Sequence, residues 1–112
     1  MISVRGPEVR LPLSPRVETQ LYGIGREALA NVLKHSWATA AQVRVEEQAG
    51  AVLVEVRDNG KGFNPDVGHP GHFGLDSMRS RAEEVGGRLT ITSAPGAGTV
   101  VRVRAPAGQQ ST

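Results

Sequence analysis

The apolar positions of this chain change period several times. Between Ser14 and Ser36 they recur with the spacing of a helix: Leu21, Ile24, Ala28 and Val32 make one stripe, widened by Leu29 and Leu33. Ser14-Pro15 reads as an N-cap followed by proline at the first helical position, so a helix is predicted from there to about Ser36, with Gly23 and Gly25 weakening its early turns. The period then drops to two. Val43 and Val45 alternate with Arg44 and Glu46 over 42–47, and Val52, Val54 and Val56 alternate with Leu53, Glu55 and Arg57 over 51–58. Ala49-Gly50 joins these two strands as a tight hairpin. A loop rich in Gly and Pro occupies 59–73. A second helix is predicted from Leu75 to Val85, with Leu75, Met78, Ala82 and Val85 on one face and Gly86-Gly87 as its stop. Strands at 88–93 and 99–104 flank the turn Ala94-Pro95-Gly96-Ala97-Gly98.

Ile2 to Arg5 reads as a short strand. The alternation of Val9, Leu11 and Leu13 is broken by Pro7, Pro12 and Pro15, which makes that region an edge or a loop. Paired strands between two helices give an α/β fold: a two-layer sandwich, its sheet mixed but mostly antiparallel, with helices packed on one face and the other face wet. One domain is expected over 1–106, with a disordered tail over 107–112.

Composition narrows the possibilities. At 112 residues the chain suffices for one core without staples, and with four aromatic residues that core must be aliphatic. There is no cysteine, which removes disulfides and thiolate metal sites and fits a reducing compartment. No apolar run reaches transmembrane length and no signal peptide is visible. The net charge is +2, and Lys and Arg are scattered along the chain, a poor footprint for nucleic acid.

The candidate chemistry sits in three islands: 26–35, 58–63 and 71–75. On the first helix, at about 100° per residue, Asn31 lies roughly 40° from Glu27 and Lys34 about 20° on the other side. These three form a polar stripe with His35 at its edge. The stripe is either a cleft wall or an ordinary solvated face. In the first case an amide oxygen suits Mg²⁺, Lys34 suits a phosphate, and Glu27 can orient or deprotonate an attacking group. Parity puts Asp58 on the face of Val52, Val54 and Val56 at the end of their strand, and Thr99 on the face of Val101 and Val103. An inward carboxylate needs a donor. An exocyclic amine of adenine would serve, read by Asp58 and, directly or through a water, by Thr99. Alternatively Asp58 caps the Asn59-Gly60 turn. Gly71-His72-Phe73-Gly74 precedes the second helix, so its glycines lead into either an anion site at free backbone amides or a flexible loop. No Walker A loop and no Rossmann fingerprint occur.

With these islands in order, the chain resembles the catalytic, ATP-binding domain of bacterial sensor histidine kinases, in the short-lid subgroup whose response regulators carry DNA-binding output domains. The wider superfamily holds DNA gyrase, mismatch-repair and heat-shock chaperone ATPases. The resemblance covers about Ile2 to Pro106. It implies an N-box at Glu27, Asn31, Lys34 and His35, with Asn31 on Mg²⁺ and the basic residues near the phosphates. It implies a first glycine box at Asp58, Gly60 and Gly62, with Asp58 on the adenine amine. Gly71 and Gly74 would form a second glycine box along the phosphates, with Phe73 and Leu75 beside them among the nucleotide-binding residues, Met78 would lie near the base, and Thr99 would belong to the G-x-G-T corner. The sequence departs from the family in two places: Ser77 precedes Met78, and the lid between Phe63 and Gly71 is short, with no separate phenylalanine box.

The implied cofactors are ATP and Mg²⁺. The implied partners are a helical-hairpin domain bearing the phosphoacceptor histidine, which this chain lacks, and a response regulator. His35, His69 and His72 are not candidates for that acceptor. The isolated domain is expected to be monomeric and cytoplasmic, to touch membrane only through upstream regions, and to bind ATP without phosphorylating itself. The alternatives are an ATPase or serine kinase of the same fold, as in anti-sigma factors, and an interaction module that has lost ATP. Arg102 and Arg104 read as solvated charges on the wet face.

Overall fold

The computed structural model describes residues 2–6, 13–64 and 74–108. Five strands, β1 (Ile2–Arg5), β2 (Ala41–Gln48), β3 (Ala51–Asp58), β4 (Arg88–Ser93) and β5 (Thr99–Pro106), form one sheet in the order β1-β2-β3-β5-β4. Only β1 and β2 run parallel; the other pairs are antiparallel. Helices α1 (Pro15–Asn31) and α2 (Leu75–Glu84) pack on one face, which is the expected sandwich.

The hairpin between β2 and β3 turns at Ala49 and Gly50, both at positive φ (49° and 83°). This is the pattern of the primed turn that matches strand twist. Ser14 caps α1 by accepting from the Val17 N–H at 3.3 Å, and Pro15 occupies the first turn. Gly86 (φ 67°) and Gly87 end α2 in a Schellman arrangement, with Gly87 N–H donating to the Ala82 carbonyl at 2.8 Å and Gly86 N–H to Glu83 at 3.1 Å.

The α1 stripe is buried as Val17, Leu21, Ile24, Ala28 and Val32, and closes over Val52, Val54, Val56, Val101 and Val103 together with Met78 and Ala82 of α2. Full burial of side chains such as Ile24 and Met78 contributes roughly 1.5–3 kcal/mol each. Gly23 has a packing reason: a Cβ there would meet the Arg81 guanidinium at 2.5–2.8 Å, so its absence lets α2 lay that side chain across α1, where Arg81 Nη1 also donates to Gln20 Oε1 at 3.0 Å.

Three expectations need correction. Leu33 is not part of the stripe and is 73% exposed, because at about 100° per residue it lies roughly 180° from Ile24 and roughly 140° from Ala28, on the far side of the helix. The last turn, Val32–Ser36, is π-helical. The second face of β3 is not wet: Leu53 and Glu55 are buried there, since β3 is central and arginine side chains roof it. Ala107, assigned to the tail, is tied in: its N–H donates to the Gly50 carbonyl at 3.0 Å and its carbonyl accepts from the Ser14 N–H at 3.1 Å. Val9, Leu11 and residues 109–112 lie outside the described residues.

Candidate functional site

The C-terminal end of α1, the outgoing end of β3, the start of α2 and the β4–β5 turn meet around one pocket. Its walls are apolar, from Ala28, Val32, Val56, Leu75 and Val101, and its polar groups are Asn31, Asp58, Lys61 and Thr99, with Gly62 and Phe63 completing the rim. The hollow between these walls, open to solvent on one side, comes to about 450 Å³, the size class of ordinary ligand pockets.

Asp58 and Thr99 are directly opposite each other in the β3–β5 register, which is how strand parity delivers both to the pocket. The two readings of Asp58 turn out to be compatible. Oδ1 caps the turn by accepting from the Gly60 N–H at 2.7 Å, while the half-buried side chain also lines the pocket. Asn59, beside it, acts as a clamp. Its Oδ1 accepts from the Thr39 and Ala40 N–H groups, both at 3.0 Å, and its Nδ2 donates to Thr39 Oγ1 at 2.9 Å. The end of β3 is thereby pinned to the segment entering β2.

Gly62 (φ 65°) and Gly98 (φ 74°) allow two loops to touch. A Cβ on Gly62 would overlap the Ala94 carbonyl, and one on Gly98 would overlap the Asp58 carbonyl. Ser93 joins the same loops: Phe63 N–H donates to Ser93 Oγ at 2.9 Å, Ser93 Oγ donates to the Gly98 carbonyl at 3.0 Å, and Ser93 Oγ lies 2.8 Å from Thr99 Oγ1. Sequence reasoning passed over Ser93 and Asn59. The available signal for Ser93 was its place at a strand end, facing Thr99 across the turn; for Asn59 it was an amide at the first position past a strand.

Gly74 is the N-cap of α2, at φ 65° and with no side-chain cap. A Cβ there would overlap the Glu27 carboxylate, so Glu27 reaches across from α1 to the N-terminus of α2, where the helix dipole favours a negative charge. Glu27 therefore stands beside the pocket rather than in its lining.

The remaining predicted residues separate. Lys34 is exposed and faces a second hollow with Trp37, Ala38 and Ala40, because the π-helical turn carries it off the Glu27–Asn31 line. His35 lies on that turn by its backbone. Met78 is fully buried in the core and is not among the lining residues. Gly60 is buried. Gly71, Phe73, His69 and His72 lie outside the described residues. Trp37 ends the π-turn at φ 56°, 85% exposed, with Lys61 Nζ 5.8 Å above its ring, a cation–π distance.

Among the described residues no group of three acidic, His or Cys side chains converges on a metal. Among the same residues no helix is long and apolar enough to cross a membrane.

Comparison with known proteins agrees with this geometry. Residues 16–109 match the family described as histidine kinase-, DNA gyrase B-, and HSP90-like ATPase. The chain is similar to the sensor protein VraS of Staphylococcus epidermidis, 39% identical over 94 residues that make up 84% of this chain and 27% of that protein. VraS of Staphylococcus aureus is 38% identical over the same shares. The chain thus spans about a quarter of the length of these relatives. Among solved structures, the histidine kinase domain of the blue-light-activated histidine kinase EL346 from Erythrobacter litoralis matches 97% of this chain and 52% of that one, at 27% identity and a TM-score of 0.78. The catalytic domain of the histidine kinase ThkA shares the fold at 16% identity, with a TM-score of 0.72 over 94% of this chain and 76% of that one. The chain belongs to the histidine kinase-, DNA gyrase B-, and HSP90-like ATPase family, as a catalytic domain of the sensor histidine kinase kind.

Proposed function

We propose that this domain holds Mg·ATP in the pocket between α1 and the sheet and presents the γ-phosphate to a histidine on a separate helical-hairpin domain, for onward transfer to a response regulator. One observation carries the reading: Asn31, Asp58, Gly62 and Thr99, from four separate segments, line one apolar-walled pocket.

Each residue has a task in this reading. The aliphatic walls from Ala28, Val32, Val56, Leu75 and Val101 sandwich the base. Asp58, with one oxygen committed to Gly60, uses its remaining acceptor capacity for the adenine amine, directly or through a water. Thr99 adds a second acceptor. Asn31 stands at the pocket's α1 wall to hold Mg²⁺ beside the phosphates. When bound, that ion would neutralise charge on the phosphates. Gly60 and Gly62 let the backbone turn close to the ligand; the approach to α2 through Gly71, Phe73 and Gly74 supplies amides to the phosphates. The family resemblance assigns Lys34 and His35 to the same phosphates, although Lys34 lines the neighbouring hollow beside Trp37 here. Glu27, at the N-terminus of α2, steers the incoming imidazole. Catalysis of this kind rests on positioning and charge neutralisation.

The test is calorimetric titration of Mg·ATP into the wild type and Asp58→Ala, with circular dichroism as a check on folding. Loss of binding in a folded variant supports adenine at Asp58. Unchanged binding removes it. With γ-labelled ATP and no acceptor domain, label should stay off this chain; label on it would contradict a separate acceptor.

A further inference from the structure

The arginines that look scattered in the sequence converge on the sheet face opposite the helices. That face carries Arg44, Arg57, Arg88, Arg102 and Arg104 against Glu46 and Glu55. Among the described side chains five positive charges face two negative ones, an excess of three on this surface. The carboxylates are already engaged. Glu55, 3% exposed, takes Arg102 in a two-pronged contact (Nε 3.1 Å, Nη2 2.6 Å) and has Arg57 at 3.5 Å. Glu46 takes Arg44 at 2.8 Å.

Arg88 and Arg104 are left over. They are directly opposed in the β4–β5 register, and among the described residues neither has a carboxylate partner. Like charges placed opposite each other on adjacent strands destabilise a sheet. The fold nonetheless keeps the pair, at the rim of a hollow of about 790 Å³ that also exposes Arg44 and Arg102 and has Leu53 and Pro106 in its lining. Arg44 contributes a buried Nε with no acceptor. Two cations opposed across neighbouring strands with no carboxylate partner among the described residues, beside a partly apolar floor, make a surface whose missing half is negative.

We propose that this open sheet face is a docking surface for an acidic segment of another polypeptide, whose carboxylates lie between Arg88 and Arg104. Guanidinium forks on a rigid strand match carboxylates two-pronged. The described aromatic residues Tyr22, Trp37 and Phe63 line other hollows, so the face has no platforms for stacked bases. The most exposed large apolar side chains among the described residues, Val4, Tyr22, Leu33 and Trp37, are absent from the hollow, which is not how a face that inserts into a bilayer is built. The surface is separate from the nucleotide pocket and shares no lining residue with it.

The probe is an oligoglutamate peptide titrated at low ionic strength into the isotope-labelled chain, with a short oligothymidylate and anionic phospholipid vesicles in parallel. Oligoglutamate should shift the amide signals of Arg88, Arg102 and Arg104, and added salt should weaken it. The double variant Arg88→Thr/Arg104→Thr should bind it about tenfold more weakly, bind Mg·ATP as the wild type does, and unfold at a higher urea concentration because the like-charge pair is gone. A purely structural role for the arginines predicts the opposite change in the urea midpoint. The proposal is overturned if oligoglutamate does not bind, if the double variant binds it equally well, or if oligothymidylate or vesicles bind this face more tightly than the peptide.

Discussion

Ser93 Oγ and Thr99 Oγ1 lie 2.8 Å apart across the last register position of β4 and β5, and the partners of Ser93 decide what Thr99 offers to the pocket. A carbonyl only accepts, so the 3.0 Å contact from Ser93 to the Gly98 carbonyl uses the one hydroxyl proton of Ser93. Thr99 must then supply the proton between the two hydroxyls. What remains on Thr99 is an acceptor, next to the acceptor-only carboxylate of Asp58. A pocket end built from acceptors selects a base edge that donates.

ATP should therefore bind at least about tenfold more tightly than GTP, whose carbonyl would face these acceptors. Ser93→Ala should reduce that preference by freeing the Thr99 proton. It should also destabilise the fold by about 1–2 kcal/mol, since the Phe63 N–H loses its acceptor. Competition titrations of the two nucleotides, with urea unfolding of the variant, check both. Equal affinity for ATP and GTP in the wild type would defeat the argument.

The contact between Glu27 and Gly74 can be tested by a double-mutant cycle. Gly74→Ala places a Cβ on a residue at φ 65° and pushes it into the Glu27 carboxylate. The backbone strain, about 1 kcal/mol, persists in any background. The overlap disappears in Glu27→Ala. Because a carboxylate at the end of a flexible side chain can swing away, the coupling should be small, about 0.5 kcal/mol. Guanidinium unfolding of the four proteins measures it. Identical costs in both backgrounds would mean that the two residues do not meet in solution.

Asn59→Ala should lower stability by about 1 kcal/mol, a discounted figure because its three hydrogen bonds to Thr39 and Ala40 are exposed. The same change should weaken Mg·ATP, because the end of β3 that carries Asp58 is no longer pinned. Asn59→Asp keeps the acceptor for both N–H groups, and the Thr39 hydroxyl can turn to donate to its second oxygen, so it should recover most of the stability. Urea midpoints and calorimetry on both variants decide it. If Asn59→Ala leaves both unchanged, the clamp has no energetic weight.

Most of this architecture was legible from local periodicity. Parity alone placed Asp58 and Thr99 on the inner face, and they are cross-strand neighbours there. Turn chemistry placed the hairpin at Ala49-Gly50 and the stop at Gly86-Gly87. Illegible features depended on contacts between distant segments. Leu53 and Glu55 occupy outward positions by parity, and only the neighbouring strands and their arginine side chains bury them. Lys34 fits the polar stripe at 100° per residue, but nothing in 32–36 announces a π-helical turn that changes the angle. Ser93 belongs to no motif; its importance comes from a register that brings Phe63, Gly98 and Thr99 to one hydroxyl.

Glu55 gives the fold an acid-sensitive element. The hydrogen bond from Arg102 is the largest influence on its carboxyl and holds it below the ordinary value of 4.5, against the opposing effect of burial, with the charges of Arg102, Arg57 and Arg44 adding to the lowering. A group whose pKa is lower in the folded state than in the unfolded one contributes stability that is fully present above the unfolded value and is lost as pH falls through the folded value. The contribution of Glu55 is therefore intact at neutral pH and fades below about pH 4.5. Glu46, also lowered by its hydrogen bond to Arg44, fades over the same range in any variant that keeps it. Comparing wild type with Glu55→Gln cancels that shared effect. At pH 7 the variant should be less stable by about 1 kcal/mol, a value discounted because Arg102 is half exposed. Below pH 4.5 the gap should close, since a protonated Glu55 and a glutamine then offer Arg102 similar neutral acceptors. Urea unfolding from pH 7 to pH 3 measures the gap, and parallel curves across that range would show that Glu55 does not titrate with folding.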